Sequence, residues 1–238
     1  MIYIKKGKEP ASLTKYKKQK FAYYDGYKEK DDLRKMLLKE QGYLCAYCMR
    51  RIDIEHMKIE HWFPENELSD IERLDYRNML GSCEGHIDGT NGKKDDTCDS
   101  HKSGDKITVN PLDRSTLCSI KYNSDGEIYS DNEIIEKDID VVLNLNSEKH
   151  LLKLNRKSML KQVREELCKM QKRGIWGRSV LEKVKNKYIN ADENGYKKEY
   201  AGVAIWYIDK KLKYDFKWKY LKIYSTIKKT DVFLSADT

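Results

Sequence analysis

Cys45 and Cys48 are separated by Ala46-Tyr47, the two-residue gap that lets two thiolates of one tight turn reach a single tetrahedral ion. Cys83 and Cys98 follow and can close onto the same ion, giving a four-thiolate set without an open coordination position, which is a structural rather than a catalytic site. A Cys-x-x-Cys can also be a redox pair, but no βαβ pattern surrounds this one. His86, between the second pair, is a rival ligand. Between the two pairs lies Ile59-Glu60-His61-Trp62-Phe63-Pro64. Phosphodiester hydrolysis needs a base to take a proton from water and a divalent ion to neutralise charge on the phosphate. His61 suits the first role because imidazole titrates near neutrality, and Glu60 suits the second. Neighbours on a strand point to opposite sides, so the strand must bend for the two to act together.

The elements that would position these groups are legible in part. Asp31-Asp32 followed by Leu33, Met36, Leu37 and then Gly42 predicts a helix that delivers the chain into Cys45. Ile52 and Ile54, then Met57, Ile59 and His61, recur at every second position and predict a tight hairpin within residues 49–63, with His61 at the end of its second strand. Residues 64–111 are rich in Gly, Asn, Asp and Lys and poor in apolar clusters; they need a staple, and a metal would supply it. Cys118 to Ser130 reads as two short strands joined across Asp125-Gly126. After Asn132 the apolar spacing turns helical as far as Leu212. Residues 1–30 are basic with scattered aromatics and read as an irregular arm. His56, His86 and His150 read as surface or loop residues, and Cys118 and Cys168 as ordinary buried thiols. Along Lys213, Tyr214, Phe216, Lys217, Trp218, Lys219 and Tyr220 the alternation describes a half-buried strand or a partner interface before it describes base stacking.

The 238 residues, 39% hydrophobic and 36% charged, suffice for a small catalytic unit with a helical companion. The expected class is α+β, divided into an N-terminal arm (1–30), a core holding the metal site (31–130) and a C-terminal helical domain (131–238) suited to docking a partner. No run of about 18 apolar residues occurs and MIYIKKGKEP lacks the apolar stretch of a signal peptide, so a cytoplasmic protein with reduced thiols is expected. A net charge of +8 favours a polyanionic partner such as nucleic acid, although a solvated lysine-rich surface fits equally well.

The ordered set of Cys-x-x-Cys, Glu60-His61, Asn78, Cys83 and Cys98-Asp99-Ser100-His101-Lys102 resembles the zinc-containing HNH (ββα-metal) endonucleases over roughly residues 40–113. More closely, MIYIKKGKEP, EQGYLCAYC, IEHWFP, CDSHKSG and VNPLD look like the PtuB nuclease subunits of Septu and retron-associated anti-phage defence systems. The resemblance implies structural zinc on Cys45, Cys48, Cys83 and Cys98, and His61 as general base oriented by Asn78. It implies a catalytic Mg²⁺ or Mn²⁺ on Glu60 with either Asp99 or His101, and Lys102 as a phosphate contact. It also implies a PtuA-like ATPase partner, with a retron reverse transcriptase and its nucleic acid in some systems. DNA and RNA, tRNA included, are both open as substrates. A zinc-stabilised subunit that binds nucleic acid or a partner without catalysis would use the same cysteines but has no need of Glu60, His61 or Asn78.

Overall fold

The computed structural model describes residues 1–87, 89, 92–172 and 176–213. Residues 1–10 run without regular structure into α1 (Ala11–Tyr16), and the Ile4 N–H donates to the Pro111 carbonyl at 2.9 Å. Met1, Ile4, Leu13 and Tyr27 are buried, so the expected arm wraps the protein's own core. The next helix, α2 (Lys30–Gln41), carries Asp31 and Asp32 at its positive end, buries Leu33, Leu37 and Leu38, and ends at Gly42 in the left-handed region (φ 66°).

Strand β1 (Met57–His61) pairs antiparallel with β2 (Met79–Cys83), with Glu60 opposite Leu80 and His61 opposite Met79. The tight hairpin expected within residues 49–63 does not form, and His61 ends the first strand of its pair rather than the second. Residues 44–51 are taken up by the cysteine turn, where the Cys45 N–H donates to the Arg50 carbonyl at 2.8 Å and Met49 takes a φ of 65°. That leaves no room for a partner strand, and the ladder goes to residues 79–83. The intervening chain makes three single turns of 3₁₀ helix, Glu65–Glu67, Glu72–Leu74 and Tyr76–Asn78.

After α3 (Cys98–Lys102), which packs on β2, come α4 (Arg114–Leu117) and the hairpin of β3 (Ile120–Tyr122) with β4 (Ile128–Ser130). This hairpin turns at Gly126 (φ 84°), as the Asp125-Gly126 pair predicts. Asn132 caps α5 (Glu133–Lys137) by accepting from the N–H groups of Ile134 and Ile135, and α6 (Leu152–Met170), α7 (Arg178–Ile189) and helical residues 201–213 follow. The class is α+β, with two two-stranded sheets among helices. Its buried apolar side chains form one cluster with members from Met1 to Ile208.

Late residues hold the cysteine turn: Tyr200 N–H donates to the Met49 carbonyl (3.1 Å), the Arg51 guanidinium donates to the Lys197 carbonyl (2.6 Å), and the Arg51 N–H donates to Glu199 (2.8 Å). Cys118 and Cys168 are exposed rather than buried. Cys118 caps the outer end of α4, and Cys168 follows the buried Leu167 onto the solvent face of α6. Among the described residues no helix is long and apolar enough to cross a membrane. The aromatic stretch from Tyr214 to Tyr220 lies outside the described residues.

Candidate metal centre and active site

Three separate segments bring the cysteines together: the turn after α2, the end of β2 and the first residue of α3. Gln41 at the end of α2 locks two of these segments. Its side-chain amide donates to the carbonyls of Leu44 (2.7 Å) and Gly81 (2.8 Å) and accepts from the Gly81 N–H (2.7 Å). The sulfurs of Cys45, Cys48, Cys83 and Cys98 all lie within 4.8 Å of one another and all four residues are buried. Cys45–Cys98 and Cys48–Cys83 are each 3.8 Å apart, and none is in a disulfide. A tetrahedron with bonds of about 2.3 Å to sulfur has edges of about 3.8 Å, so the set fits an ion such as Zn²⁺ at its centre. Without a cation, burial would push the Cys98 thiol well above its ordinary range, which is the cost that metal binding removes. His86 is not part of the cluster; its Nδ1 lies 2.8 Å from Asp96.

Glu60 and His61 occupy opposite sides of β1, and both are buried. Glu60 Oε1 accepts from the Tyr47 hydroxyl (2.8 Å) and faces the Lys102 ammonium (2.8 Å). Burial, with Asp99 within hydrogen-bonding reach, holds the Glu60 carboxyl well above the usual carboxylate range, and Lys102 opposes that shift. On the other side His61 Nε2 lies 2.8 Å from the Arg73 carbonyl, Nδ1 lies 3.4 Å from Glu65, and the Tyr24 ring packs edge-on at 4.8 Å. A carbonyl only accepts, so Nε2 carries the proton and Nδ1 presents the lone pair. Burial lowers the His61 pKa, which favours the neutral ring. Asn78 closes the bend after β1 by donating to the Phe63 carbonyl (2.9 Å) and accepting its N–H (2.7 Å).

The first turn of α3 aims Asp99 at Glu60 and within 3.9 Å of Lys58. His101, two residues on, turns away and bonds through Nδ1 to the Val142 carbonyl (2.9 Å). Lys102 points inward, 1% exposed, with its ammonium on Glu60 and on the His61 carbonyl (3.1 Å). It is not on the surface where a phosphate contact was expected, because α3 places residues three apart on one face and so turns Lys102 inward with Asp99. His150 lies between elements, as a loop residue should, but is buried and bonds to the Asp95 carbonyl (2.9 Å), while His56 is exposed and pairs with Asp53.

No family model matches the chain. It is similar to a protein of Vibrio cholerae serotype O1 biovar El Tor named "Retron Vc95 putative HNH endonuclease". The two are 26% identical over 138 residues, covering 54% of this chain and 65% of the relative's length. This distant likeness points toward HNH nucleases, and the four-cysteine cluster is compatible with it.

Four contacts at the site carry no signal in the sequence motif. Tyr47 lies between Cys45 and Cys48 and reads there as a spacer. Tyr24 comes from the N-terminal arm. Glu65 and the carbonyl of Arg73 belong to 3₁₀ turns whose approach to His61 depends on the long connection between β1 and β2.

Proposed function

We propose that the chain is a metal-dependent HNH endonuclease in which β1, β2 and α3 form the ββα-metal unit and the four cysteines hold structural zinc. The observation that carries this reading is a buried His61 at the end of β1, where Asn78 closes the bend, next to the Glu60, Asp99 and Lys102 group. His61 Nε2 is bound to a carbonyl, which leaves the lone pair of Nδ1, 3.4 Å from Glu65, to act as the base, while Glu60 and Asp99 meet beside α3. Nδ1 would take a proton from water, whose oxygen attacks the phosphorus in line with the departing 3′ oxygen and leaves a 5′ phosphate. Glu60 and Asp99 would hold Mg²⁺ or Mn²⁺, which supplies charge neutralisation on the phosphate and the leaving oxygen. Asn78 keeps the bend after His61 rigid, and Lys102 orients Glu60.

By the same reading the protein is a cytoplasmic effector of an anti-phage defence complex. Its partners would be a PtuA-like ATPase and, in retron systems, the reverse transcriptase with its nucleic acid, docked on the helices after residue 131. The substrate is a phosphodiester of DNA or of RNA such as tRNA. The test is cleavage of plasmid DNA and total RNA by wild type and His61→Ala, with Mg²⁺, Mn²⁺ or EDTA, alone and with a co-expressed partner. Ion-dependent cutting that His61→Ala abolishes, at unchanged zinc content, is the expected result. Cutting retained in His61→Ala removes the base assignment. No cutting by wild type in any condition leaves a zinc-stabilised binding subunit.

A further inference from the structure

The β3–β4 hairpin, α6 and helical residues 201–213 border an open cavity of about 490 Å³. It shares no residue with the cysteine cluster or the Glu60–His61 site. Trp176, Trp206 and Tyr207 present rings to it, and Arg164, Lys210 and Lys211 present cations. No Asp or Glu is among its described lining residues. The cations sit over the rings: Arg164 is 5.2 Å from the Tyr207 centroid, Lys210 is 5.1 Å from Trp206, and Lys211 is 5.9 Å from Trp176 and 5.6 Å from Tyr207. Trp206 makes an edge-on contact with Tyr122, another lining residue, at 5.7 Å. None of the three cations has a carboxylate within ion-pair distance among the described residues, although ion pairs are common elsewhere on the surface, Lys185–Asp209 and Arg178–Glu182 among them.

Aromatic rings beside cations that have no carboxylate partner among the described residues match one kind of ligand: a planar heterocycle joined to a phosphate. A purely apolar ligand would leave the charges unused, and a bare anion would leave the rings unused. The volume lies in the range of small-ligand sites and holds one nucleotide. We propose that this cavity binds a nucleotide unit, its base stacked on Trp206 and its phosphate on Arg164 and Lys211, as a second nucleotide site apart from the cleavage site. The unit is either a free mononucleotide or an unpaired nucleotide of a strand. The inference stands without the nuclease reading, since the cavity needs neither His61 nor a metal.

The experiment is titration of the full-length, zinc-loaded His61→Ala protein with AMP and, separately, with a ten-nucleotide oligo(dT), followed by tryptophan fluorescence. His61→Ala keeps the strand intact if the chain cuts, and changes nothing at the cavity if it does not. Saturable quenching is expected with at least one probe. It should weaken about tenfold in Arg164→Ala/Lys211→Ala, and its amplitude should fall in Trp206→Phe. Circular dichroism and zinc content verify that each variant is folded, and Arg164→Ala alone serves if the double variant is not. AMP binding as tightly as the strand identifies a mononucleotide site. Strand binding that is much tighter and falls with salt identifies an unpaired strand, and the charge variant should then flatten the salt dependence. Absence of quenching by both probes, or quenching of the same strength in folded charge variants, overturns the proposal.

Discussion

Lys102 shows how much a residue's direction matters. In sequence it is one lysine among many, following a cysteine by four positions and read most simply as reaching outward to a phosphate. In the fold its ammonium is buried between Glu60 and the His61 carbonyl, where it opposes the upward shift that burial imposes on the Glu60 carboxyl. Lys102→Met should therefore lower stability by about 3–5 kcal/mol, the usual penalty for stripping one partner from a buried pair. It should also make the protein more responsive to a divalent cation, because Glu60 and Asp99 are left together without a compensating charge. The check is the melting temperature of both proteins with and without Mn²⁺: the variant should gain more than wild type, and equal gains would remove Lys102 from this role. The gathering of the four cysteines was legible because thiol type and spacing announce it. Lys102 and Tyr47 were not, because whether a side chain near a site points in or out depends on the face of a short element, and a five-residue helix leaves no apolar period to read.

At the scale of elements, what could be read depended on the distance between partners. The β3–β4 hairpin joins strands through its own turn, and Asp125-Gly126 announced it. Gly126 has a further constraint that only the packed structure reveals: a Cβ there would lie 2.1 Å from the Lys153 carbonyl oxygen and 2.6 Å from the Lys157 nitrogen, both backbone atoms of α6. With a left-handed φ as well, Gly126→Ala should cost about 2–4 kcal/mol in chemical denaturation. A loss under about 0.5 kcal/mol would mean that α6 is not fixed against the turn. The β1–β2 ladder, by contrast, spans a long irregular connection, and its period-two signal could not say which segment is the partner.

His150 illustrates the same difficulty for a loop residue. It lies between elements, yet it is buried against Asp95 and beside Arg50, whose guanidinium donates to the His150 carbonyl (2.9 Å). Burial, then the Arg50 charge, lowers its pKa below the ordinary 6.5. A histidine depressed in the folded state contributes stability that is complete above pH 6.5 and is lost as pH falls through the lower folded value. Melting curves against pH should show wild type losing stability below pH 6.5 faster than His150→Gln. Parallel curves would show that His150 does not titrate in the fold.

For the molecule as a whole, the reactivity of the thiols should report whether the cluster holds a metal. Of the six cysteines, Cys118 and Cys168 are exposed and the four of the cluster are buried. A thiol reagent should modify two quickly in the native protein and all six after chelation at neutral pH, with cooperative loss of tertiary structure as the staple leaves. Six fast thiols before chelation would argue against a bound ion. The sequence divided the chain at residue 131 by texture, short elements before and long helices after, but texture does not reveal how the parts share a core. Residues from both sides of that point enter one buried cluster.

The bonds from Lys197, Glu199 and Tyr200 back to Met49 and Arg51 also set an order of events during synthesis. The cysteine turn leaves the ribosome about 150 residues before the segment that clamps it, a delay on the order of ten seconds at ordinary elongation speeds. Until then the turn lacks its outer support and the nascent chain holds an unfinished site. Whatever this site does, the cell is exposed to it only after nearly all of the described chain has been made, and chains that stop early, by premature termination or proteolysis before residue 197, should be inert.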